Sequence, residues 1–167
     1  MTGLAFHEEV VRFLDGARID VQVPSGPWAA LITDGEVGYA VSLDGTVLVA
    51  EWRSRGALSG VRIRTPRLDV LERFVVMTFA SDWRGLNGLP RISTWGGPAF
   101  TPEGVSVVPH DGAFAVTVVG EPEPVAWGMK EVEAARLARV VTAPLAEITT
   151  SIMQADGGPL FREDRSI

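Results

Sequence analysis

WAALITDGEVGYAVSLDGTVLVAEWRSRGALSGVRIRT, residues 28–65, decides the architecture. It divides into WAALITD (28–34), GYAVSLD (38–44), TVLVAEWRS (46–54) and SGVRIRT (59–65), each with the composition of a strand. The breaks, DGEVG, DGT and RGALSG, are turn-forming. Parallel pairing requires a crossover of about a dozen residues or more. None of these breaks can hold one, so the strands must form an antiparallel meander. RIDVQV (18–23), which alternates polar and apolar residues and is followed by PSGP, extends it to four or five strands.

Helices flank this block. HEEVVRFLDG (7–16) is a short amphipathic helix with Gly16 as its expected stop. Downstream, Thr65-Pro66 has the composition of a helix start, with Thr65 as N-cap, Pro66 at the first helical position, and Asp69 and Glu72 in the early turns. Leu68, Leu71, Phe74, Val75, Met77, Phe79 and Ala80 make this helix apolar on much of its circumference, as expected of one buried on a sheet. FASDWRGLNGLPRI (79–92) ends it, with Gly85 the expected C-terminal cap and Arg84 placed to favour the helix dipole. Short strands return in RIST (91–94), GVSVVP (104–109), AFAVTVV (113–119) and PVAWG (124–128). KEVEAARLARVV (130–141) and the segment 143–153 form two C-terminal helices. The fold class is α+β: antiparallel meander sheets packed with a central buried helix and C-terminal helices, one domain over residues 1–167.

Composition narrows the function. The chain has 46% apolar and 22% charged residues, which excludes a disordered class. Its net charge of −6 argues against nucleic-acid binding. The charge is uneven: residues 1–60 and 101–167 are acidic, whereas 61–100 carry a net +3. There are no cysteines, which removes disulfides, thiolate catalysis and cysteine–zinc sites. No secretory signal or membrane span is evident, so a soluble cytoplasmic protein is expected.

Catalytic patterns are absent. His7 lies on the first helix beside two glutamates, and His110 lies in the turn VPHDG. Neither belongs to a zinc-binding or nucleophile-elbow motif. Asp34-Gly35, Asp44-Gly45 and Asp111-Gly112 are turn pairs. Asp82, Trp83 and Arg84 are consecutive, so on a helix they diverge by about 100° per step and cannot converge on one substrate. No metal or cofactor is expected. Two glycine-containing loops, WRSRGALSG (52–60) and STWGGPAF (93–100), combine Trp with mobile backbone as partner-binding surfaces do. Trp52, Arg53, Arg55 and Gly56 at a hairpin tip, with Trp95 and Gly96 in the second loop, are the candidate contacts; Gly56 would let backbone enter a partner's cleft closely.

A family resemblance rests on RGALSGVRIRTPRLDVLERFVVMTFASDWRGLNGLPRI: Arg55-Gly56 before the helix, Leu68 and Leu71-Glu72-Arg73-Phe74 within it, and Arg84 with Leu89-Pro90 after it. The ending ARLARVVTAPLAEITTSIMQADGGPLF adds to it. These stretches, roughly residues 40–95 and 130–161, resemble small actinobacterial immunity proteins of family sixty-one, similar to the antitoxin of the tuberculosis necrotizing toxin. Phe74 stands where that family often has Tyr, and residues 96–128 carry no matching motif. The resemblance implies an immunity protein that does no chemistry, and that inserts a loop to occlude the active site of a cognate toxin domain, an NAD glycohydrolase. The runner-up is a small-molecule-binding or regulatory domain with its five tryptophans lining a pocket.

Overall fold

In the computed structural model, residues 4–23, 26–94 and 98–163 are described. The chain opens with helix α1 (Glu8–Gly16). The meander follows as β1 (Asp20–Gln22), β2 (Ala30–Thr33), β3 (Val37–Asp44), β4 (Val47–Ser54) and β5 (Ala57–Thr65). Helix α2 (Leu68–Leu86) then leads to β6 (Ile92–Ser93) and a short 3-10 turn, Pro98–Phe100. A second meander, β7 (Val105–His110), β8 (Ala113–Val118) and β9 (Ala126–Met129), precedes α3 (Glu131–Val140) and α4 (Leu145–Met153). The last strand, β10 (Arg162–Glu163), pairs antiparallel with β6.

The two meanders join into one antiparallel sheet in the order β1-β2-β3-β4-β5-β9-β8-β7. The expected α+β class and five-strand meander are therefore present, and β7, β8 and β9 extend the same sheet, whereas β6 and β10 form a separate pair. The join is narrow, a single pairing of Arg64 with Trp127. Thr65 reinforces it by donating its hydroxyl to the Val125 carbonyl at 2.7 Å.

α2 is the central buried element. Val70, Leu71, Phe74, Val75, Val76, Met77, Phe79 and Ala80 are all buried. Tyr39 of β3 meets Phe74 and Phe79 of α2 and Trp52 of β4 edge-on, with ring centroids 5.1–6.2 Å apart. Burial pushes the Tyr39 phenol up to about 12, only partly offset by the Thr78 hydroxyl 3.3 Å away. α3 lies against β7, β8 and β9, and α1 and α4 flank α2. No helix among the described residues is long and apolar enough to cross a membrane.

Three helix ends differ from the sequence expectation. α2 starts at Leu68 rather than Pro66, because the Thr65 hydroxyl accepts the Arg67 N–H and holds the chain extended before the first turn. α2 also runs through Gly85. Its closing bonds are Leu89 N–H to Arg84 C=O and Gly88 N–H to Gly85 C=O, with Gly88 left-handed at φ 67°. The same two-bond closure ends α1, but there Arg18, at φ 59°, holds the position that favours glycine. Gly16 serves packing instead: a Cβ there would lie 2.4 Å from Nε1 of Trp83.

Candidate functional site

The β4–β5 hairpin carries the expected contacts. Ser54 pairs with Ala57, leaving Arg55 and Gly56 as a two-residue turn with φ 49° and 84°. Two successive positive φ values match the type I′ turn, which suits the twist of a tight hairpin. A Cβ on Gly56 would meet nothing within 4 Å, so the turn faces open space. Residues 55–60 are all exposed, and Leu58 keeps 44% of its surface. The single β5–β9 pairing, at Arg64, lies at the opposite end of β5, so the hairpin reaches past the second meander.

The tip is braced at its base. The Arg55 N–H donates to the Glu36 carbonyl at 2.6 Å, tying the hairpin to the β2–β3 turn. Asp34 fixes that turn through the N–H groups of Glu36 and Val37, both at 2.8 Å. Those bonds, Val37 first, hold its carboxyl below the usual value. Gly38 allows close strand approach, since a Cβ there would fall 1.9 Å from the Ile32 carbonyl oxygen. Irregular register around Glu51 twists the outer half of β4 relative to β5.

The candidate residues separate by role. Arg55 and Gly56 form the tip, and Arg53 is half-buried one step below, paired with Leu58 and Gly38. Trp52 is not presented at the tip; it is half-buried and packs its ring edge on Tyr39. Trp95 and Gly96 lie outside the described residues.

The described tryptophans occupy separate places in the fold. Trp83 stacks on Phe13 and Trp127 sits edge-on to His110, while Trp52 packs on Tyr39. A cavity of about 650 Å³ between α2, β6 and α3 has no described tryptophan on its wall.

Sequence reading missed two polar hubs. Arg84 is 2% exposed and donates to the carbonyls of Pro90, Ile152, Gln154 and Ala155 at 2.6–2.8 Å. It gathers the carbonyl end of α4, rather than acting as a surface charge on its own helix. Arg139 lies between the rings of Phe100 and Phe161, at 4.7 and 5.0 Å, and donates to the Ser93 and Leu160 carbonyls. Their only sequence signal was an arginine inside an otherwise apolar helix face.

Among the described residues, each histidine has one carboxylate beside it. His7 bonds Glu72, and His110 lies 3.7 Å from exposed Asp111. No cluster of three or more His, Asp or Glu among the described residues could hold a metal ion.

Three comparisons with known proteins bear on the chain. The fold is similar to Rv3902c from M. tuberculosis, with a TM-score of 0.86 over 99% of both chains at 16% identity. No curated protein matches the chain. Residues 15–160 match the family model described as Immunity protein 61, a span containing the whole meander, α2 and both C-terminal helices. The chain belongs to the immunity protein 61 family.

Proposed function

We infer that this protein is an antitoxin that binds a cognate toxin domain, an NAD glycohydrolase, and blocks its active site with the β4–β5 hairpin. Membership of an immunity-protein family supports the antitoxin role. The observation that carries the binding mode is the projecting turn at Arg55 and Gly56, braced at Glu36 and exposed through residue 60. A rigid, narrow tip enters a concave site at low entropic cost, because its bound shape already exists. Arg55 supplies charge and directional donors, and Leu58 supplies apolar area. The assignment of NAD hydrolysis to the toxin rests on the motif resemblance around Leu71–Phe74 and Arg84–Pro90. No catalytic step is assigned to this chain, and it acts in the compartment where the toxin acts, the cytoplasm.

The test is co-purification with the neighbouring toxin domain, followed by NAD hydrolysis with and without this protein. Stoichiometric inhibition that disappears in Arg55→Glu with Leu58→Asp is the expected result. Full inhibition by that variant would rule out the hairpin as the blocking element. Absence of any complex would rule out the pairing itself.

A further inference from the structure

Most of the basic middle of the sequence lies outside the β4–β5 hairpin. Two of its arginines, Arg84 and Arg91, line the 650 Å³ cavity between the C-terminal half of α2, β6 and α3, and Arg136 of α3 joins them. The volume lies within the range of small-molecule sites. Ser81, Ser93 and Thr94 share the wall, and Asp82 is its one acid among the described residues.

Each arginine contributes differently. Arg84 has donors committed to main-chain carbonyls, so it brings positive charge more than free N–H groups. Arg91 is exposed. Arg136 has its Nε buried without a hydrogen-bond partner. Among the described residues, neither Arg91 nor Arg136 forms an ion pair of the kind seen at Arg62, Arg67 or Arg73. A buried N–H left unmade is costly, and an oxyanion is the strongest acceptor to satisfy it.

We propose that this cavity binds a small phosphorylated molecule bearing hydroxyl groups, with its phosphate held by Arg91 and Arg136 and a hydroxyl donated to Asp82. Donors from separate elements suit a tetrahedral phosphate, whereas a lone carboxylate is matched by a single planar guanidinium. The space exceeds what a bare phosphate fills, and Ser81, Ser93 and Thr94 on the remaining wall favour a polyol over a wholly apolar body. Asp82 is suited to accept a hydroxyl rather than a second anion.

The experiment is calorimetric titration of the full chain, without toxin, at matched ionic strength. The probes are inorganic phosphate and a pentose phosphate. Saturable binding is expected for both, with the pentose phosphate tighter. Arg91→Glu, at an exposed position, and Arg136→Gln should each weaken binding at least about tenfold, as expected for loss of a charge-assisted hydrogen bond. Equal affinity in wild type and Arg91→Glu would overturn the site, as would no saturation at about 10 mM, beyond the usual range for a specific ligand. Phosphate binding without preference for the pentose phosphate would overturn the ligand class. If Arg136→Gln does not fold, Arg91→Glu alone decides. Because toxin is absent, failure here leaves the antitoxin reading standing.

Discussion

His7 and Glu72 stand 65 positions apart in the chain, yet Glu72 grips the start of α1 at two points. The His7 N–H donates to Oε1 at 2.6 Å, and His7 Nδ1 lies 2.6 Å from Oε2. The carboxylate is 1% exposed, whereas the imidazole is mostly in solvent. Two outcomes should therefore differ. Glu72→Ala should cost about 2–3 kcal/mol, the range for a lost hydrogen bond to a charged group at a buried site. His7→Ala keeps the main-chain bond and should cost less than about 1 kcal/mol. Urea unfolding of both variants checks the order, and equal losses would show that the imidazole carries the contact.

Arg84 is the second long-range tie. Arg84→Met keeps most of the volume but strands the carbonyls of Pro90, Ile152, Gln154 and Ala155. A loss of about 3 kcal/mol or more is expected, with α4 loosened before the sheet. Hydrogen exchange resolves this: protection should fall first over residues 145–153. Unchanged exchange there would refute the assignment.

Asp82 gives a pH-dependent outcome. Burial, and then the charge of Asp34, raise its carboxyl above the usual value. A raised acid in the fold opposes stability once pH exceeds the folded pKa, and that penalty vanishes below the unfolded value near 3.8. Asp82→Asn should therefore be more stable than wild type at neutral pH, with the difference closing in acid. Melting curves from pH 3 to 8 test the sign, following the range over which a carboxylate titrates. A variant destabilised at pH 7 would contradict it.

Arg18 occupies a left-handed position at the end of α1 that a side chain adopts only at a cost. Arg18→Gly should raise stability by up to about 1 kcal/mol, after allowing for glycine's larger unfolded-state entropy. A lower melting temperature would mean that the arginine side chain makes a compensating contact.

The hairpin variant Arg55→Glu with Leu58→Asp alters two exposed side chains. Stability should shift by no more than about 1 kcal/mol, while toxin affinity should fall about thirtyfold or more, as for loss of a binding hot spot. Parallel thermal melts and binding titrations separate the two effects.

The meander was legible because its breaks are short and turn-rich, a local property. The buried face of α2 was legible because apolar spacing is local too. Helix ends were harder: Gly16 and Gly85 both have the position of a cap in the sequence, but Gly16 answers to Trp83 and Gly85 continues the helix. The difference lies in tertiary contact and in which residue takes the left-handed turn. Arg84 looked like a dipole partner because its acceptors at Ile152, Gln154 and Ala155 come from 68–71 residues away. Within the candidate site, the serine-arginine-glycine turn identified the hairpin tip. It could not show that Trp52 folds back on Tyr39, nor that α2, β6 and α3 enclose an arginine-lined cavity.

The hairpin from Arg55 to Gly60 carries no buried residue. Its sequence can therefore drift, lengthen or be exchanged without asking the rest of the molecule to refold. Such a part resembles an interchangeable tool tip on a fixed handle. An antitoxin built this way could follow a changing toxin by rewriting six residues, and the same sheet could be given a new target by grafting another tip.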